Sequence, residues 1–207
     1  MERRLRLISL LAALVLLAAC GGSKALDPTP VAVDLGDIQL NAHPSALQGK
    51  TVVLRWNSKV NGDKFLNRLA ELLIQQVDGI KVVKAWEADP LTAVLSESVE
   101  DSKEVTDRLL ALDPDLLITA QADGNKCSRW TMIDQLNAEL AGVPTVIIAT
   151  SAFAKYATEA AAEQGIDDFA MAVVPHPIAG HDQAGVEAKV DAAFPEILKA
   201  ATEWQPK

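Results

Sequence analysis

An α/β sandwich, with a mainly parallel five-stranded sheet between two helical layers, is the fold class this sequence predicts. Three observations point to it. Short β-rich runs alternate with longer amphipathic stretches along the chain. Two of those runs, 115–121 and 144–150, are almost continuously apolar, as strands covered on both faces are. Glycine or proline closes most segments, as at Asp113-Pro114, Gly142, Gly165 and Pro175.

In chain order, residues 51–56 read as the first strand, and 63–77 as a helix with Phe65, Leu66, Leu69, Leu72 and Leu73 at helical spacing. A second strand is expected over 80–86. A helix over 102–112 follows, ended by Asp113-Pro114, because proline removes a donor and biases the preceding residue away from helix. The third strand spans 115–121. Residues 128–141 carry Ile133, Leu136 and Leu140 on one side of a helix that stops at Gly142, and 144–150 is the fourth strand. An alanine-rich helix over 153–164, a fifth strand over 169–174 and a last helix over 185–202, bent or broken at Pro195, complete the chain. Repeated βα units require right-handed crossovers, hence a single-domain flavodoxin-like or Rossmann-like three-layer fold.

The N-terminus has a different character. Arg3, Arg4 and Arg6 precede an apolar stretch over 10–19, and Leu17-Ala18-Ala19-Cys20 is followed by two glycines. The stretch is short for a membrane span and fits an export signal. Its box resembles that of bacterial lipoproteins, a resemblance that implies cleavage of residues 1–19 and lipid, palmitate included, on Cys20. Residues 20–45 then read as a lipidated N-terminus and flexible tether, broken by Gly21-Gly22-Ser23, Asp27-Pro28-Thr29-Pro30 and His43-Pro44. Residues 46–207 form the domain. The expected location is the cell envelope, with the domain outside the cytoplasm and the membrane reached through the lipid.

Loss of residues 1–19 removes three arginines and one glutamate from 19 basic and 28 acidic residues, leaving 16 and 27 and a net charge of −11. That balance excludes nucleic acid as a partner and is repelled by anionic headgroups, so the acyl group must do the anchoring. Cys127 is the other cysteine, and no intrachain disulfide is available to the mature chain.

Ligand crevices in parallel sheets open beyond the carboxyl ends of the strands. That rule nominates Asn57, the loop and helix start Asp123, Gly124, Asn125, Cys127 and Ser128, then Thr150 with Phe153, and His176 in Pro175-His176-Pro177. Cys127 is the candidate thiol, since a thiol at a helix N-terminus feels the positive end of the helix dipole. His176 or His181 is a candidate base, and Lys126 or Arg129 a candidate partner for thiolate. The glycine spacing matches neither a dinucleotide fingerprint nor a P-loop, and Cys127, His176 and His181 lack paired metal-ligand spacing, so no cofactor and no metal are expected.

The order Gly124-Asn125-Lys126-Cys127-Ser128-Arg129-Trp130-Thr131, then Gly142-Val143-Pro144-Thr145-Val146, Thr150-Ser151-Ala152-Phe153 and Val173-Val174-Pro175-His176-Pro177 resembles the family named for its UGSC motif, in which U is selenocysteine or cysteine. More distantly it is similar to the selenoprotein B component of glycine, sarcosine and betaine reductases. The resemblance implies an α/β domain using a selenol or thiol beside a second thiol, and gives Trp130 a place on the pocket floor. Aligning the terminal cysteine of the motif on Cys127 puts its leading redox residue at Gly124. A dithiol or selenol-thiol cycle needs both groups, because the second attacks the adduct formed by the first. Three functions follow as expectations: a lipid-anchored protein binding a small molecule at the sheet edge, with a transport or redox partner protein; an oxidoreductase or thiol carrier using Cys127 with an external thiol; and an inert interaction domain.

Overall fold

The computed structural model describes residues 33–207. The expected signal sequence and Cys20 lie outside the described residues. Five strands, β1 (Thr51–Trp56), β2 (Lys81–Lys84), β3 (Leu116–Ala122), β4 (Thr145–Thr150) and β5 (Met171–Val174), form one sheet of order β2-β1-β3-β4-β5. Every pairing is parallel. Helices α1 (Gly62–Gln76) and α6 (Gln183–Thr202) pack together, while α3 (Val99–Leu110), α4 (Asn125–Leu140) and α5 (Ala154–Ala162) form the other layer. A short α2 (Ala85–Ala88) follows β2 directly. The α/β sandwich read from the sequence is the fold observed.

Strand alternation explains the apolar runs. Val52 and Leu54 of β1, Leu116 and Ile118 of β3, and Val146 and Ile148 of β4 join one core. Their neighbours Val53 and Leu117 meet Val105, Leu109 and Ala138 on the opposite face, and Ile147 and Ala149 meet Met132, Leu136 and Ala157. With both faces covered, each position is core, so polarity does not alternate. The strand order reverses between β1 and β3, which makes the C-terminal ends of these two strands the topological switch point.

Several boundaries differ from expectation. The second strand ends at Lys84, and Trp86 turns on α2 to pack edge-on against Trp56 at 6.4 Å. Helix α3 begins at Val99 because the Ser98 hydroxyl caps it by accepting from Asp101 N at 3.0 Å. Helix α4 begins three residues early, at Asn125, so Cys127 and Ser128 lie in its first turn and not in a loop. Pro195 neither ends nor divides α6, which runs unbroken to Thr202.

The expected tether is corrected in its second half. Val33, Ile38 and His43 are buried against the domain, and Leu47 belongs to its main core. Gln164 acts as a surrogate strand, accepting from Leu35 N at 3.0 Å and donating to Val33 O at 2.6 Å. Glu139 receives Asn41 N and Asn41 Nδ2 on one oxygen, and Thr145 N and Oγ1 on the other, at 2.7–2.8 Å. Proline and glycine content suggested a free chain, but long-range side-chain partners invisible to local composition fasten residues 33–47 as a strap.

Candidate functional site

Three strand ends build the site. Asp123 directly follows β3, Thr150 closes β4, and His176 lies two residues beyond β5. His176 Nδ1 stands 2.8 Å from Asp123 Oδ1, and the Thr150 hydroxyl donates to the same oxygen at 2.7 Å while touching Nδ1 at 3.2 Å. The Asp123 side chain is 5 % exposed and the imidazole 37 %. A carboxylate only accepts hydrogen bonds, so Nδ1 carries the proton and Nε2 keeps its lone pair. Phe153 meets the imidazole edge-on at 5.3 Å, and Ser151 Oγ accepts from the His176 backbone N–H at 3.2 Å. Ring position and tautomer are thus set from several sides, leaving Nε2 without a hydrogen-bond partner among the described residues.

The other sequence candidates are placed elsewhere. Asn57 is fully buried, its Nδ2 donating to Gln121 O at 2.9 Å and Thr131 Oγ1 at 2.8 Å, and its Oδ1 accepting from Gln121 N at 3.0 Å. It braces β1 to β3 and α4, with no donor left for a ligand. Asn125 Oδ1 accepts from Lys126 N at 2.7 Å at the exposed start of α4. Ser128 is buried, and its hydroxyl donates to Gly124 O at 2.7 Å. Trp130 is buried against Val33 and Ile133, a contact with the strap. Lys126 pairs with Glu97 and Arg129 with Glu163, while Asn61 Nδ2 binds the His181 carbonyl.

Cys127 is buried, with its Sγ making no hydrogen bond to His176 or to a cation among the described residues. Gly124, just before α4, has φ of 171°, extended backbone open to any residue, and a Cβ built there would stand 3.3 Å from Cys127 Sγ. Among the described residues no group of three or more His, Cys, Asp or Glu side chains is arranged to hold a metal.

A match to the UGSC family model covers residues 24–203. The chain belongs to the UGSC family. Neither a curated protein nor a solved structure matches it significantly. In this UGSC domain the residue aligned with the leading redox group of the motif is a glycine pointing at the surviving thiol, while the aspartate just before it is committed to His176.

Sequence reasoning passed over one feature of the domain. Arg55, fully buried on β1, stands 2.7 Å from Asp134 of α4 and donates to Val94 O at 2.9 Å. An arginine inside the apolar run Val52-Val53-Leu54 was the available signal, since a doubly covered strand has no solvent-facing position for a charge.

Proposed function

We propose that this UGSC domain is a lipid-anchored, extracytoplasmic binding protein that holds a small molecule at the C-terminal edge of β3, β4 and β5. The observation that carries the reading is His176, fastened at Nδ1 by the nearly buried Asp123 and by Thr150, with its Nε2 unengaged. Orienting an imidazole in this way has little value for packing and much for presenting one nitrogen to a partner. The matching ligand carries a hydroxyl or amine that donates to Nε2 and an apolar portion that rests on Phe153. The Leu17-Ala18-Ala19-Cys20 box supports the anchor.

Side-chain nitrogen NMR of the full chain, titrated with a panel of small hydroxy and amino compounds, tests this. A ligand shifts the His176 Nε2 signal saturably and loses roughly tenfold in affinity in Asp123→Asn, the scale on which losing an orienting carboxylate costs a histidine site. Absence of any such compound from the panel, or undiminished binding by His176→Ala, refutes the reading.

A thiol carrier or oxidoreductase is the second reading, supported by the place of Cys127 in the first turn of α4, where the helix dipole favours thiolate. With glycine at 124, its adduct must be resolved by an external thiol or a partner protein. Burial of the sulfur ranks it below the His176 site.

A further inference from the structure

Beneath α4 lies a polar interior that packing does not explain. Arg55 of β1 and Thr119 of β3 stand in register side by side at the switch point, beneath α3 and α4. Both are fully buried, as are Ser96 and Thr131, and Asp134 and Gln135 are nearly so. Nη2 of Arg55 serves Val94 O and Asp134, whose other oxygen accepts from Ser96 Oγ at 2.7 Å. Arg55 Nε and Nη1, Thr119 Oγ1 and Gln135 Nε2 are buried with no hydrogen-bond partner. Gln135 follows Thr131 by one turn, on the α4 face that reaches Asn57 of the sheet.

A buried guanidinium is costly, and leaving its N–H groups unpaired adds the desolvation of each. Such orphans in a native interior mark an occupant. The unmet groups are donors, apart from the ambivalent threonine hydroxyl, so the occupant must bring acceptors. Water brings two hydrogens of its own, and among these four atoms only Thr119 Oγ1 can receive one. A carboxylate brings acceptors alone, and the guanidinium is the natural group to bind it.

We propose that Arg55, Thr119 and Gln135 form a closed site for a small carboxylate at the β1–β3 switch point, distinct from the His176 edge. Residues 94–97 cover it: Val94 O and Ser96 bind its walls, Glu97 is tied to Lys126 at 2.7 Å, and the outer side of Val94 and Leu95 lines a surface groove. Opening this segment is the route of entry.

The test uses the full chain with sodium acetate as probe, sodium chloride at equal ionic strength as reference, and the Arg55 Nε–H NMR signal as readout. Acetate is expected to shift that signal saturably, and to raise the unfolding midpoint, where chloride does neither. Thr119→Val keeps the side-chain shape, removes the hydroxyl and should weaken acetate binding roughly tenfold, as expected for a hydrogen bond to a charged group. An Arg55 signal indifferent to acetate means a water-filled interior and overturns the proposal. So does an acetate response unaltered in Thr119→Val. The readout sits at Arg55, so failure here leaves the His176 reading standing.

Discussion

Asn57 and His176 were nominated by one rule, that residues beyond strand C-termini face the ligand crevice, and the structure treats them oppositely. The rule positions a Cα, whereas the side chain's partners depend on which elements close over it. Asn57 turns inward and satisfies Gln121 and Thr131, so Asn57→Ala should cost about 2–4 kcal/mol in urea unfolding, because it strands buried groups on both neighbours. A small change in its unfolding midpoint would show that the brace is redundant. Gly124 offers a sharper test. In a disulfide, each Cβ lies about 3 Å from the opposite sulfur, given an S–S bond of about 2.05 Å, and a Cβ at 124 would stand 3.3 Å from Cys127 Sγ. Gly124→Cys should therefore lose two hydrogens under mild oxidant, read by intact mass, and persistent free thiols would show that the two positions are not the motif pair.

At the level of elements, the strap over residues 33–47 departs furthest from sequence expectation. Asn41 supplies both hydrogen bonds to one Glu139 oxygen, so Asn41→Leu should destabilise the domain by about 1–3 kcal/mol, measured by urea titration, through the stranded buried carboxyl group. His43 makes the strap acid-sensitive. Burial holds its pKa below the ordinary histidine value, with both ring nitrogens unpartnered and the ring 5.0 Å from Trp204. Its stability contribution is thus complete above about pH 6.5, the unfolded value, and falls away as pH drops through and below it. Glu139 works in the other sense: burial raises its pKa despite four donors, so its contribution is lost as pH rises above the usual glutamate range. Comparing wild type with His43→Phe isolates the histidine. The variant should lose the part of the stability decline between pH 7.5 and 5 that His43 causes, and parallel pH curves would exclude His43 as its source. Pro195 teaches the same lesson as the strap. Read locally it breaks a helix, yet α6 passes through it because Ala193, Phe194 and Ile197 are held in the core on both sides.

For the whole molecule, the proposed anchor and the observed strap together set a reach. Twelve residues separate Cys20 from Val33, a span of at most about 40 Å when fully extended. The anchored domain would thus stay within that distance of the bilayer, closer than a tether running to residue 45 would place it. Cys20→Ser should move the protein from the membrane fraction to the soluble fraction on cell fractionation, and continued sedimentation with membranes would refute lipid anchoring.

The order of strands and helices, the doubly covered core and the cluster of Asp123, Thr150 and His176 at strand ends were legible in the chain, because apolar periodicity and βα handedness are local or topological properties. The motif residues also revealed the family before any geometry was known. Tertiary structure alone decided which polar groups are spent and which are unspent. Asn57 and Ser128 are consumed by internal bonds, Cys127 is buried, His176 keeps Nε2 unengaged, and Arg55 is buried with donors unmet. Hydrogen-bond satisfaction is settled by residues far apart in sequence, such as Asn41 with Glu139 or Arg55 with Asp134, and no local pattern records those meetings.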